Sequence, residues 1–127
     1  MKNLFVVFTL LFTVNLYAQS ENTKLSPVEF KANYFKQRGM LVDVRTPEEF
    51  EEGHIAGAVN INIAAPDFEK NFEALDRSKP IFLYCTVGGR SAKAAVILRR
   101  KGFSKIYDLN GGYTDLLKAG MKSNKEE

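Results

Sequence analysis

The chain has 127 residues, which is the size of one ordinary domain with a single hydrophobic core. Its 18 basic and 15 acidic residues leave a net charge of +3, and the lysines and arginines are scattered, which argues against a nucleic-acid-binding surface. One cysteine and one histidine exclude the usual zinc site, so we expect neither a metal nor another cofactor.

The N-terminus has the pattern of a secretory signal peptide. Lys2 gives a positive start, residues 4–16 form an apolar run of about 13 residues, and Ala18 precedes a polar stretch. The run is shorter than the ~20 residues that a membrane-spanning helix needs, although a retained membrane anchor is the alternative. We therefore expect residues 1–18 to be cleaved off and the protein to be exported to the periplasm, without a stable membrane anchor.

One domain is expected over residues 26–120. A polar lead-in over residues 19–25 precedes it, with a short edge strand at residues 24–25, and a flexible tail over residues 121–127 follows it. Short apolar strands alternate with helices along this domain, which indicates a small, mostly parallel sheet with helices on both faces. The predicted fold class is therefore α/β with three layers.

Two capping boxes begin helices in the first half of the domain. Ser26 and Thr46 are each followed by proline and, three positions on, by glutamate, a combination that starts a helix. The first helix is expected to run to about residue 36 and to be stopped by Gly39; the second is short and is closed by Gly53. A buried strand over residues 40–44 lies between them.

The second half continues the alternation of strands and helices. Strands are predicted over residues 58–61, 81–84 and 106–109, and helices over residues 66–75, 90–101 and 113–119. The side chains expected to face inward from the first two of these helices are Phe68, Phe72, Leu75, Ala92, Ala95, Val96 and Leu98. Gly102 is expected to end the helix over residues 90–101, with an apolar contact from Phe103.

The only cysteine lies where a predicted strand turns into a predicted helix. The first N–H groups of a helix lack partners within it and carry partial positive charge, so Cys85 is favoured there as a thiolate. Gly88 and Gly89 can adopt positive φ at little cost, which lets the loop turn its amides inward around an anion. Arg90 adds a permanent cation at the end of the loop. In an oxidising compartment an unpaired cysteine in this setting is expected to be a working nucleophile.

Three motifs resemble those of the rhodanese family of sulfurtransferases. The run from Cys85 to Arg90, C-T-V-G-G-R followed by serine, resembles the family's active-site loop. The run L-V-D-V-R-T-P-E-E-F over residues 41–50, followed by G-H-I-A-G-A-V-N over residues 53–60, resembles its other signature. Gly111-Gly112-Tyr113 resembles its C-terminal double-glycine turn. The motifs occur in the family's order, over residues 26–120.

The resemblance implies a rhodanese-like α/β domain that transfers sulfane sulfur through a persulfide on Cys85. The donor would be a small molecule such as thiosulfate, and the acceptor cyanide or a thiol, including a protein thiol. The loop that binds the transferred sulfur would consist of Thr86, Val87, Gly88, Gly89 and Arg90. Thiosulfate-using relatives carry a basic residue at the position of Val87, so thiosulfate is expected to serve as an assay donor rather than the natural one.

Asp43 and Arg45 are expected to support the loop, because they follow a strand that ends at the same edge of the sheet as Cys85. We expect Asp43 to lie near Arg90, and Arg45 to brace the loop or to pair with an acid such as Glu49 or Glu51. Ordinary surface ion pairs, worth about 0–1 kcal/mol each, are the alternative.

His54 precedes the strand predicted over residues 58–61, whereas Cys85 follows its own strand. In a parallel sheet these positions lie at opposite ends, so a Cys–His dyad like that of a protease is not expected. The prediction for His54 is a structural, hydrogen-bonding role.

Other functions are weighed against sulfur transfer. Four residues separate Cys85 from Arg90, one fewer than in the loops of phosphatases and arsenate reductases that share the general fold, and a smaller loop suits a single sulfur better than phosphate. A thiol oxidoreductase is disfavoured because no second, resolving cysteine exists. A non-enzymatic module that binds or presents a partner is the other alternative.

Overall fold

The computed structural model describes Asn3 and residues 23–126, so the predicted leader, apart from Asn3, lies outside the described residues. The elements in chain order are β1 (Lys24–Leu25), α1 (Pro27–Gln37), β2 (Met40–Asp43), α2 (Pro47–Glu52), β3 (Val59–Asn60), α3 (Phe68–Glu73), β4 (Ile81–Tyr84), α4 (Gly89–Arg100), β5 (Ile106–Leu109), α5 (Tyr113–Lys118) and a 3-10 turn (Asn124–Glu126). Among these helices none is both long and apolar enough to cross a membrane.

The five strands form one sheet in the order β1-β5-β4-β2-β3, and every pairing of neighbouring strands is parallel. The predicted edge strand is confirmed, since Lys24 and Leu25 pair with Asp108 and Leu109 at one border of the sheet. Strand β4 lies at the centre, so the residue that follows it emerges in the middle of the carboxyl edge. Parallel sheets bind ligands along this edge.

Two hydrophobic cores lie on the two faces of the sheet. Along β4, Ile81 and Leu83 pack into a core shared with α3 and α4, whereas Phe82 and Tyr84 pack into a core shared with α1 and α5. Alternate residues of a strand point to opposite faces, so a strand buried on both sides is apolar throughout. The predicted three-layer α/β architecture is therefore confirmed.

Both predicted capping boxes are present, at Ser26 and at Thr46. The predicted stop of α1 at Gly39 is wrong: Arg38 takes the left-handed conformation that ends the helix, with a φ of 50°. Gly39 is required for a different reason. A Cβ at this position would overlap the ring of Phe82 in the adjacent core.

Two details of the helices differ from the predictions. Helix α3 is shorter than residues 66–75, although Phe68 and Phe72 are buried as expected. On α4 the buried residues are Ser91, Ala94, Ala95 and Leu98, whereas Val96, which was expected to face inward, is exposed. With 3.6 residues per turn, positions 91, 94, 95 and 98 share one face, and Val96 lies about 100° further around the helix than Ala95. Gly102 and Phe103 end α4 as predicted, since Phe103 donates its N–H to the carbonyl of Leu98.

The prediction of a flexible tail over residues 121–127 is wrong for residues 121–126, which the structure describes. Met121 and Ser123 are buried, and Ser123 bridges Ile55 in an antiparallel fashion. The side chain of Asn124 accepts the N–H of His54 at 2.9 Å, and its own N–H donates to the carbonyl of His54 at 2.8 Å. This segment therefore packs against the core that includes Leu116 of α5. Its polar composition does not indicate this contact.

Candidate active site

Cys85 follows β4 directly, and Gly88 forms the N-terminal cap of α4. Gly88 has a φ of 107°, in the left-handed region where glycine is favoured. Gly89, which was expected to share this conformation, does not have positive φ and begins the helix instead. The chain thus turns sharply between Cys85 and α4, and this turn points backbone N–H groups at the sulfur.

The Cys85 sulfur accepts hydrogen bonds from two backbone amides and lies next to one hydroxyl. The N–H groups of Gly88 and Ser91 point at Sγ from 3.0 and 3.4 Å, and the Ser91 hydroxyl lies 3.5 Å from it. The same hydroxyl donates to the carbonyl of Gly88 at 3.1 Å, and its oxygen accepts the thiol proton of Cys85. When the thiol ionises, the hydroxyl can rotate and donate its proton to the sulfur instead. Ser91 was not among the predicted site residues. Its position on the buried face of α4, at helical spacing from Ala95, is the signal in the sequence that could have revealed it.

The surroundings of the sulfur lower the pKa of Cys85 from the ordinary value of a thiol. Burial acts to raise this pKa, since Cys85 is fully enclosed. The Ser91 hydroxyl, together with the amides of Ser91, Gly88 and Val87, acts in the opposite direction and outweighs burial. The loop therefore favours the thiolate, which is the form of cysteine that acts as a nucleophile.

Arg90 is held at the rim of the loop by Glu49 of α2. Its two terminal nitrogens donate to the two carboxylate oxygens of Glu49 at 2.7 and 2.9 Å, a bidentate pair. Thr86 joins the pair, because its hydroxyl donates to Glu49 at 2.8 Å. Arg90 holds the pKa of Glu49 well below its usual range, and Glu49 in turn raises the pKa of Arg90. Glu49 is thus the acidic partner of Arg90, whereas Asp43, which was expected near Arg90, makes only a smaller contribution to raising the pKa of Arg90.

Asp43 and Arg45 pair with each other beneath the loop. Arg45 donates to both carboxylate oxygens of Asp43, the shortest contact being 2.7 Å, and to the carbonyl of Gly53 at 2.6 Å. Its guanidinium lies 4.6 Å from the ring centroid of Tyr113. The predicted pairing of Arg45 with Glu49 or Glu51 is therefore wrong. The surface-pair alternative is also wrong, because Asp43 and Arg45 are 0% and 5% exposed. Side chains two positions apart on an extended chain point to the same side, so the sequence itself indicated that Asp43 and Arg45 could pair.

The turn between β5 and α5 packs against the backbone of the active-site loop. Tyr113 donates its N–H to the carbonyl of Cys85 at 2.9 Å. Gly112 packs so closely against the loop that a Cβ there would overlap the carbonyl of Thr86. A Cβ on Gly88 would lie 3.1 Å from the carbonyl of Gly111, so the two glycine turns fit against each other. Close contact between two backbones is a recurrent reason for glycine.

The predicted site residues are thus brought together, with different partners from those expected. The Rhodanese-like domain family matches this chain over residues 26–119. The chain belongs to that family.

Proteins similar to this rhodanese-like domain are named for more than one activity. Thiosulfate sulfurtransferase 16, chloroplastic, of Arabidopsis thaliana is 40% identical over 90 residues, which are 63% of this chain and 75% of that protein. A tRNA uridine(34) hydroxylase of Pelagibacter ubique is 33% identical over 99 residues, which are 77% of this chain and 33% of that protein. The crystal structure of a rhodanese-related protein from Thermoplasma volcanium matches with a TM-score of 0.68 at 29% identity, covering 79% of this chain and 95% of that one.

His54 lies apart from the sulfur of this rhodanese-like domain. Its Nδ1 is 2.8 Å from the carbonyl of Phe50, and its ring stacks on that of Phe50 with centroids 3.6 Å apart. The backbone of His54 pairs with Asn124, so its contacts are those of the predicted structural role. Within the part of the chain that the structure describes, no group of three or more His, Cys, Asp or Glu side chains is placed to hold a metal ion. What the site offers chemically is a thiolate among N–H and O–H donors.

Proposed function

We propose that this protein is a sulfurtransferase that moves a sulfane sulfur from a donor such as thiosulfate to cyanide or a thiol, through a persulfide on Cys85. The observation that carries the proposal is the convergence of the Gly88 amide, the Ser91 amide and the Ser91 hydroxyl on one cysteine sulfur. Family membership and a relative named thiosulfate sulfurtransferase support the same chemistry.

The first step is nucleophilic attack by the Cys85 thiolate on the outer sulfur of the donor. With thiosulfate, a new S–S bond forms at Cys85, the S–S bond of the donor breaks, and sulfite leaves with the electron pair of the broken bond. The products are a Cys85 persulfide anion and sulfite, so charge and atoms balance. Backbone amides that are fixed before the reaction can stabilise the anionic persulfide without having to reorganise.

The second step returns the enzyme to its resting state. Cyanide or a thiolate attacks the outer sulfur of the persulfide, and the electron pair of the broken S–S bond returns to Cys85. Cyanide leaves as thiocyanate, and a thiol acceptor leaves as its own persulfide. The lowered pKa of Cys85 favours this step too, because a more stable thiolate is a better leaving group.

Phosphate transfer is disfavoured by the position of Arg90. Arginine commonly binds a tetrahedral phosphate through two parallel hydrogen bonds from its guanidinium. Both terminal nitrogens of Arg90 are already engaged with Glu49. The short loop and the paired arginine therefore both favour a single sulfur as the transferred group.

The test is the intact mass of the purified protein after treatment with thiosulfate or an organic persulfide, with and without cyanide. We expect the mass to rise by one sulfur atom, and cyanide to remove that atom while thiocyanate appears. The variant Cys85→Ser is the control and should gain no sulfur, since serine is not ionised near neutral pH. Absence of sulfur loading on wild type with either donor would favour the non-enzymatic binding module.

We further propose that the protein acts after export to the periplasm, on small-molecule donors and acceptors or on a protein thiol. This proposal is supported by the positive start, the apolar run and Ala18 of the N-terminus, which together have the pattern of a signal peptide. The scattered basic residues give no reason to expect a nucleic-acid partner.

A further inference from the structure

The charges around the sulfur compensate one another in pairs. Arg90 forms its bidentate contact with Glu49, and Arg45 forms a buried ion pair with Asp43. When Cys85 is a thiolate, these five groups sum to one negative charge. The two arginines near the loop therefore leave no uncompensated positive charge for an incoming anion.

Helix α2 adds further negative charge on the side of the loop where Glu49 lies. Its six residues, Pro47–Glu52, include four glutamates and no basic residue. Glu49 is held in place from three directions, by Thr46 in the capping box, by Thr86 of the loop and by Arg90. Thr86 directly follows Cys85 and Arg90 ends the same loop, so this network holds the Glu49 carboxylate against both ends of the active-site loop.

We propose that Glu49 is a specificity-determining residue, which screens Arg90 and selects against dianionic sulfur donors in favour of singly charged or neutral ones. The favoured class is an organic persulfide, R–S–SH, whose inner substituent carries no charge near the sulfurs. This inference rests on the proposed sulfur transfer and names its substrate class.

The favoured reaction balances without any further reactant. The Cys85 thiolate attacks the outer sulfur of R–S–SH, the S–S bond of the donor breaks, and R–S⁻ leaves with its electron pair. Cys85 then carries the outer sulfur as Cys85–S–SH. No dianion forms or approaches at any point, in contrast to thiosulfate, which brings two negative charges to a site that already carries one.

The variant Glu49→Gln tests this role while leaving the helix cap intact. Glutamine at the third helical position completes a capping box as glutamate does, and its side chain can still contact Arg90. Glu48→Gln is the matched control: it removes the same charge from the neighbouring, exposed residue of α2, outside the Arg90 network. Circular dichroism should show that both variants are folded.

The first measurement compares alkylation of Cys85 by iodoacetate, which is anionic, and by iodoacetamide, which is neutral. The ratio of the two rates cancels any change in the pKa of the thiol. We expect Glu49→Gln to raise the iodoacetate-to-iodoacetamide ratio by about three- to tenfold, the effect of one charge several ångström away in a partly solvated site. Added salt should reduce this difference, and Glu48→Gln should leave the ratio near that of wild type.

The second measurement uses sulfur donors. Glu49→Gln should raise kcat/KM for thiosulfate by a similar factor, with a smaller change for the persulfide of 2-mercaptoethanol. An alkylation ratio that is the same in all three proteins, or raised equally by both variants, would overturn the role of Glu49. If neither reagent alkylates Cys85 in any of the three proteins, the role of Glu49 is also overturned, because a sulfur that no reagent reaches cannot discriminate between reagents. Sulfur turnover absent from all three proteins would instead refute the proposed function, while the alkylation ratio would still decide the role of Glu49.

Discussion

At the scale of single residues, the chemistry depends on how a buried sulfur is kept ionised. Burial alone would raise the pKa of Cys85 and make it an inert core residue. The Ser91 hydroxyl and the backbone amides of Ser91, Gly88 and Val87 reverse this effect, and all four groups belong to the turn that starts α4. The nucleophile and the donors that activate it are thus contributed by one short segment of chain.

Replacing Ser91 with alanine should raise the pKa of Cys85, because the variant loses a hydrogen bond to the ionised sulfur, and such a bond contributes roughly 1.5–3 kcal/mol. The backbone amide of Ser91 remains in the variant, so the pKa should not return fully to that of a buried thiol. The rate of iodoacetamide alkylation as a function of pH measures the change. Ser104→Ala, at an exposed serine beyond α4, is the control. An unchanged pKa in Ser91→Ala would show that the hydroxyl donates only to Gly88.

The lowered pKa of Cys85 also predicts how stability depends on pH. Because the folded state releases the thiol proton more readily than the unfolded state, the free energy of unfolding should rise with pH between the folded-state pKa and about 8.5, the ordinary thiol value. Above that value the gain should be complete, and below the folded-state pKa it should be absent. Urea unfolding of wild type and of Cys85→Ser across this range measures it. Parallel curves for the two proteins would contradict the prediction.

At the scale of elements, the position of the active-site loop depends on the β5–α5 turn. Tyr113 binds the carbonyl of Cys85, and Gly112 contacts the backbone of Thr86 at a distance that no side chain would allow. These contacts join two segments that both leave the carboxyl edge of the sheet. The loop is therefore shaped by a neighbouring turn as well as by its own glycines.

Replacing Gly112 with alanine should displace the loop and suppress sulfur loading of Cys85. The added Cβ would overlap the Thr86 carbonyl, and overpacking of this kind costs about 1–3 kcal/mol of folding free energy. Gly89→Ala is the comparison for stability, since a Cβ there meets nothing within 4 Å and alanine favours the helix by roughly 0.5–1 kcal/mol. Urea unfolding and intact mass after donor treatment provide the two measurements. Full sulfur loading in Gly112→Ala would contradict this prediction, since it would show that the β5–α5 turn can shift to accommodate the Cβ without displacing the active-site loop.

At the scale of the whole molecule, the C-terminal segment completes one of the two cores. Met121 packs with residues of α1, α5 and the sheet, and the following residues pair with the segment that precedes β3. This contact ties the end of the chain to residues 54–56, more than sixty positions earlier. Its hydrogen bonds are to residues 54–56 and not to the active-site loop, so we expect its effect to be on stability and not on the chemistry.

A chain that ends at Gly120 should lose about 2–4 kcal/mol of folding free energy, from the burial of Met121 and the lost hydrogen bonds. A chain that ends at Asn124 keeps these contacts and should remain close to the full-length protein. Urea denaturation of the three proteins distinguishes them. Equal midpoints would mean that residues 121–124 add nothing to the stability of the fold.

The N-terminal pattern predicts where the mature protein begins. N-terminal sequencing of the protein from its native host should give a chain that starts at or near Gln19, in the periplasmic fraction. A cytosolic protein that still begins at Met1 would refute the export proposal. The sulfur-transfer proposal would stand in either case, because the residues around Cys85 all lie beyond the leader.

The sequence by itself determined the features that depend on neighbouring residues. The capping boxes at Ser26 and Thr46, the alternation of strands and helices, and the location of Cys85 between β4 and α4 were all predicted and are all present. Hydrogen bonds between residues three apart and the burial of short apolar runs leave direct traces in the order of the residues. The fold class followed from the same local signals.

Only the tertiary structure decided which partners meet across the molecule. Glu49 and Arg90 are 41 positions apart, and they pair because β2 lies next to β4, which brings α2 beside the start of α4. The contact of Gly112 with Thr86 likewise requires β5 to lie next to β4. A sequence shows which charges and glycines are present but gives no distances between them, and each arginine had several acids within plausible reach. The order of the strands in the sheet selects one partner for each, and with it the electrostatics of the sulfur site.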